Sequence, residues 1–184
     1  MDILTMRIVL FVLLFPILAF ARSPELIELT PLEHQWLTTS DELETSIGNS
    51  SAPVTIYNYS SFTCPHCSTF FSKVLPRIKE NYIDKGHVRF VYRDFPTDKV
   101  AFQASMLLHC DSNVDKYSFA KLLYERQDSW LSASSYAEGL ANLAEIIGIS
   151  RGKYQQCLFD KELESKLLSN QLIPAKNLKI NATP

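Results

Sequence analysis

Cys64-Pro65-His66-Cys67 places two thiols at positions i and i+3 with a proline between them. Two sulfurs at that spacing can close a disulfide, and such a bond passes to other thiols by exchange. The pair becomes selective when its two members differ. At the start of a helix, unpaired backbone N–H groups and the positive end of the dipole favour a thiolate on the first cysteine. His66 beside it offers further positive charge. A stabilised Cys64 thiolate favours the reduced form, so the disulfide is oxidising, and Cys67 is the resolving thiol that attacks a mixed disulfide. Other uses of a CxxC run fit less well. A zinc site needs a second CxxC or a spaced histidine pair, which the chain lacks. Haem attachment needs histidine directly after the second cysteine, where Ser68 stands. A purely structural disulfide across two residues is small and strained.

The surrounding elements must hold this pair at a helix start. Val54-Thr55-Ile56-Tyr57-Asn58-Tyr59 is rich in β-branched and aromatic residues and predicts a strand. The Cys64-Pro65 step predicts a helix start, since proline is favoured in the first turn. Phe71, Val74, Leu75 and Ile78 form an apolar stripe along that helix, and Pro76 predicts a kink. Asp84-Lys85-Gly86 ends it, and Val88-Arg89-Phe90-Val91-Tyr92-Arg93 predicts a second strand. Strand, helix and strand in this order imply a right-handed crossover between parallel strands. Residues 22–48 are a lead-in with a short helix expected over 40–47, where Ser40-Asp41-Glu42-Leu43-Glu44 resembles a capped start. Residues 98–174 show only helical periodicity and predict four or five short helices, as with Tyr136, Leu140, Leu143 and Ile147.

The chain's 184 residues are 46% hydrophobic and 21% charged, with a formal net charge of −2. That suits one globular domain and argues against nucleic-acid binding, which draws on a basic excess. From Ile8 to Phe20 the chain is apolar, with Arg7 before it and Ala19-Phe20-Ala21 at its end. This predicts a signal peptide over residues 1–21, cleaved before Arg22. Export places the cysteines where disulfides persist. His34, His87 and His109 have no metal-ligand spacing, and each reads as surface or satisfied core. No glycine-rich phosphate loop is present, so neither cofactor nor metal is expected.

Val54-Thr55-Ile56, Ser61-Phe62-Thr63-Cys64-Pro65-His66-Cys67, Val88-Arg89-Phe90-Val91-Tyr92-Arg93-Asp94-Phe95-Pro96 and the closing Ala182-Thr183-Pro184 resemble DsbA-type thiol:disulfide oxidoreductases. The resemblance implies a thioredoxin-like α/β fold, with residues 49–97 as its first part, a large helical insertion over 98–174 and a return over 175–184. It implies Cys64 as nucleophile, Cys67 as resolving cysteine, and Pro65 and His66 as the tuning dipeptide. It also implies that Thr183 and Pro184 form a cis-proline loop that binds substrate. The implied activity is disulfide donation to newly exported, unfolded proteins in the periplasm, by a monomer that a DsbB-like membrane partner reoxidises. A disulfide isomerase or reductase of the same fold is the alternative. A structural disulfide between Cys110 and Cys157 is implied as well; the residues alone leave two independent buried thiols open. Two departures stand out. Asn58 occupies the position, six before the first cysteine, where the family commonly carries a buried acid. The sequence also closes at Pro184, where a strand hairpin and closing helix are expected, so a truncated, non-catalytic remnant is a further expectation.

Overall fold

Pairing between two strands sets the frame. In the computed structural model, which describes residues 28–38 and 43–184, β2 (Val54–Ser60) and β3 (Val88–Asp94) run parallel in register, Val54 opposite Val88 and Ser60 opposite Asp94. The expected leader, the Ser40 start of the lead-in helix and the Trp36 side chain lie outside the described residues. A short strand, β1 (Thr45–Ile47), adds antiparallel to the other edge of β3, giving the order β1-β3-β2. This corrects the helix expected over 40–47. Thr45 and Ile47 are β-branched, and the edge of β3 offers them a ladder, so tertiary pairing overrides a local capping pattern. Gly48 closes β1 with φ +96, where a Cβ would sit 2.6 Å from the Val88 carbonyl oxygen. Before β1 comes a short helix, α1 (Pro31–Thr38). Arg93 of β3 ties this region down, donating to the Leu37 carbonyl and to Glu44 at 2.8 and 2.9 Å.

Between β2 and β3 the chain is helical from 65 to 83. It consists of α2 (Pro65–Thr69), a π turn (Phe70–Val74), α3 (Leu75–Ile78) and a second π turn (Lys79–Ile83). Each π turn closes with a bond to the fifth preceding residue, Leu75 N–H to Phe70 and Asp84 N–H to Lys79. The wider turn shifts the apolar stripe. Phe71 and Leu75 are buried, but Val74 is rotated out and 42% exposed, a correction to the expected stripe. Pro76 lies in the first turn of α3, directly after the π turn that ends at Val74.

Six helices follow β3 among the described residues: α4 (Lys99–Leu108), α5 (Lys116–Glu125), α6 (Gln127–Leu131), α7 (Tyr136–Ile146), α8 (Arg151–Leu158) and α9 (Lys161–Asn177). Asp98, Asp115, Ser135, Ser150 and Asp160 cap all but α6, each side chain accepting from a first-turn N–H. Six exceeds the expected four or five because Arg126 and the Asp160 cap add breaks that apolar spacing does not register. Helix α9 also continues through Pro174 to Asn177, past the expected boundary at 174. The fold is thus a thioredoxin-like α/β unit with a helical insertion. Its core joins the crossover helix and sheet to this block, around Phe62, Phe71, Phe90, Tyr92 and Tyr124. Phe71 stacks on Tyr124 at 4.2 Å between centroids, and Phe62 lies 4.7 Å from the same ring. Trp130 packs against Gly139 of α7, and its Nε1–H donates to the Leu123 carbonyl at 2.8 Å. No described helix is long and apolar enough to cross a membrane.

Candidate active site

Strand β2 ends at Ser60, and residues 61–63 turn the chain into α2. The Cys64 N–H donates to the Ser61 carbonyl at 3.1 Å. The Ser61 hydroxyl contacts Thr97, and Thr63 donates to Asp98, so the turn is tied to the start of α4. Cys64 is the N-cap of α2, with φ −78 and ψ 119, and Pro65 follows at the first helical position. The Cys67 N–H points back at Cys64 Sγ, 3.4 Å away. A sulfur thus occupies the place that a capping oxygen usually takes. Both cysteines are free thiols here, Cys64 half-buried and Cys67 buried.

Their surroundings separate the two thiols. Burial alone would push the Cys64 thiol up; hydrogen bonding from the Thr183 side chain and from the N–H groups of Cys67 and His66 outweighs it and holds the thiol below its ordinary range. As a thiol, Cys64 reaches the Thr183 carbonyl only at 3.7 Å, a long contact that opposes this weakly. For Cys67 burial wins, and its thiol is pushed above the ordinary range despite hydrogen bonding with Ser61 and Ser60. The Thr183–Pro184 peptide is cis, and Thr183 lies against Cys64. Pro65 and His66 are exposed, and His66 acts on Cys64 through its backbone N–H.

Beneath the cysteines lies a polar cluster that motif reading does not assemble. Asn58 is buried and accepts from the Ser60 hydroxyl at 2.6 Å. Asp94 accepts at Oδ1 from Tyr92 and Ser105, at 3.0 and 2.6 Å, and its Oδ2 faces His109 Nε2 at 2.7 Å. The Tyr124 hydroxyl donates to Tyr92 at 3.5 Å. His109 is therefore a paired, buried histidine, whereas His34 and His87 are exposed. Gln127, also missed, is 4% exposed, and its amide donates to the Phe62 and Cys64 carbonyls at 2.7 and 3.0 Å. A lone glutamine among polar residues carries no sequence signal for such a brace.

Away from this site, Cys110 and Cys157 are joined in a disulfide, with Cα atoms 5.5 Å apart, linking the end of α4 to α8. Among the described residues, no three His, Cys, Asp or Glu side chains converge to hold a metal ion.

Comparison with known proteins follows the same lines. The thioredoxin family profile matches residues 40–184. A putative protein-disulfide oxidoreductase of Rickettsia bellii is 30% identical over 145 residues, covering 78% of this chain and 56% of the relative. The chain spans about half the length of the curated relatives it matches. Among solved structures, α-DsbA1 of Wolbachia pipientis superposes with a TM-score of 0.72 at 32% identity, covering 80% of this chain and 75% of that one. Oxidised BdbD from Bacillus subtilis gives 0.67 at 25% identity, covering 79% and 80%. With this much of the chain matched in profile, sequence and backbone, it belongs to the DsbA-like thiol:disulfide oxidoreductase family of the thioredoxin fold.

Proposed function

We propose that the chain is an exported thiol:disulfide oxidoreductase that donates the Cys64–Cys67 disulfide to paired thiols of unfolded secreted proteins in the periplasm. A substrate thiolate attacks Cys64 Sγ, the Cys64–Cys67 bond breaks, and Cys67 leaves with the electron pair and takes up a proton. The second substrate thiolate then attacks the substrate sulfur of the mixed disulfide and expels Cys64 as a thiolate. The substrate loses two electrons, the protein gains them, and a DsbB-like membrane partner removes them. Thr183 and Pro184 present the backbone along which the substrate strand docks, and Pro65 and His66 tune the pair. The leader sequence supports export.

The observation that carries this reading is the opposed environment of the two thiols. Cys64 is reachable and held toward thiolate, whereas Cys67 is buried and held toward thiol. That asymmetry favours attack at, and release from, Cys64. The test is catalysed oxidation of reduced, unfolded ribonuclease by the protein in a glutathione buffer. Cys64→Ser abolishes turnover, and Cys67→Ser accumulates a mixed disulfide on Cys64. Turnover that survives Cys64→Ser would remove the proposal. The redox potential against glutathione separates an oxidase from an isomerase or reductase of the same fold.

A further inference from the structure

Cys64 closes a four-residue turn, its N–H donating to the Ser61 carbonyl at 3.1 Å. After Cys64 the chain is fixed by α2; before it, the direction of the thiol depends on how the turn is held. Two hydroxyls hold it. Ser61 is 1% exposed, and its hydroxyl accepts from the Thr97 N–H at 3.3 Å and lies 3.0 Å from the Thr97 hydroxyl. The Thr63 hydroxyl lies 3.2 Å from that of Ser61 and donates to Asp98 Oδ2 at 2.5 Å.

The loop that receives these bonds is itself anchored. The Phe95 N–H donates to the Ser60 carbonyl at 2.9 Å, and Gln171 of α9 donates to the Pro96 carbonyl at 2.6 Å. Asp98 Oδ1 accepts from the Ala101 N–H at 2.8 Å and caps α4. One carboxylate therefore does two jobs. Its Oδ1 starts a helix, for which a single oxygen suffices. Its Oδ2 grips the residue directly before the nucleophile, which the helix does not require.

We propose that Asp98 is a positioning residue for Cys64: through the Thr63 hydroxyl it holds the turn in the arrangement that brings Cys64 Sγ to the Cys67 N–H. The proposal deepens the exchange reading of Cys64 and Cys67 and rests on it.

The consequence falls on one redox state. Cys64 Sγ lies 3.4 Å from the Cys67 N–H in the reduced protein, where a thiolate at that place accepts a charge-assisted bond. In the disulfide the same sulfur is bonded to Cys67 and carries no charge. An interaction present in both states cancels from the exchange equilibrium, and one made only in the reduced state shifts it. Aiming the sulfur thus stabilises the dithiol and makes the disulfide more oxidising. A contact that merely stiffens the fold lowers or raises the unfolding midpoint and leaves that equilibrium where it was.

The experiment equilibrates the full chain with reduced and oxidised glutathione at pH 7. Two glutathione thiols give up two electrons and two protons, forming glutathione disulfide, and the Cys64–Cys67 disulfide takes them up as two thiols. Acid quenching, alkylation and mass spectrometry read the dithiol fraction, and urea unfolding is measured beside it. Thr63→Val keeps the shape and removes the hydroxyl, and Thr63→Ser restores it. Asp98→Ser keeps a capping oxygen for α4 but is too short to hold Thr63.

Thr63→Val and Asp98→Ser should each move the equilibrium toward the disulfide by about tenfold, within the range of one bond to a charged group. Thr63→Ser should stay within about twofold of wild type, and the double variant should move no further than either single one, since both cut the same bond. Loss of a negative charge alone would favour the thiolate, so a shift of Asp98→Ser toward the dithiol overturns the proposal. An unchanged equilibrium in Thr63→Val overturns it as well, whatever happens to the unfolding midpoint. So do additive shifts in the double variant, or a Thr63→Ser that behaves like Thr63→Val. If the wild type forms no Cys64–Cys67 disulfide at any glutathione ratio, the exchange reading fails first and carries this inference with it.

Discussion

The Sγ of Cys64 and the carbonyl oxygen of Thr183 lie 3.7 Å apart, although 119 residues separate them. That carbonyl contact favours the thiol form, but the side chain of the same distant residue contributes the largest of the contacts that lower the Cys64 thiol, so the thiol is only partly set by its own helix.

Thr183→Val keeps the bulk of the side chain and removes its hydroxyl. The Cys64 thiol should move upward, toward the ordinary range. Iodoacetamide labelling of the reduced protein across pH 3–9, with the modified cysteine located by mass spectrometry, reads this directly. In the wild type, Cys64 labelling should persist to pH values where ordinary thiols are protonated, while Cys67 stays unlabelled. The variant should lose the acidic part of that window, and an unchanged midpoint would show that Thr183 is only a neighbour.

Gln127→Ala removes a buried amide that holds the Phe62 and Cys64 carbonyls. Each orphaned acceptor costs about 1–3 kcal/mol, so a loss of roughly 2–4 kcal/mol is expected. Urea unfolding monitored by tryptophan fluorescence should show the midpoint falling at unchanged slope. A midpoint within error of wild type would mean that water replaces the amide.

The Cys110–Cys157 disulfide closes a 47-residue separation. In the chain-entropy model such a loop contributes about 4 kcal/mol. A Cys110→Ala, Cys157→Ala double variant should lose a comparable amount in the same unfolding assay. The labelling profile of Cys64 should not change, because the bond lies outside the site.

Gly139 faces Trp130 so closely that an added Cβ would meet the Trp130 carbonyl oxygen at 2.5 Å. Gly139→Ala therefore forces α6 and α7 apart. The cost should exceed the ~1 kcal/mol that alanine gains over glycine in a helix, and reach the 1–3 kcal/mol typical of overpacking. A lower melting temperature checks it, and a raised one would show that the helices separate freely.

The strand–helix–strand frame was legible because each piece carries its own period, and the CxxC pair because its spacing is local. What escaped depends on partners far along the chain. Thr45–Ile47 is a strand only because β3 offers an edge. Val74 leaves the apolar stripe only because a π turn widens the helix. Asp94 and His109 sit on separate elements, 15 residues apart, and no periodicity marks them as a pair. Gln127 is recognisable only once the turn it braces is in place.

The separation between Cys64 and Thr183 also has a time axis. At roughly 5–20 residues per second, a ribosome takes about 6 to 24 s to add the 119 residues between them. Throughout that interval the nascent chain carries its cysteine pair without the loop that most favours the Cys64 thiolate. Synthesis order thus leaves the cysteine pair without that contribution until residue 183 has been added.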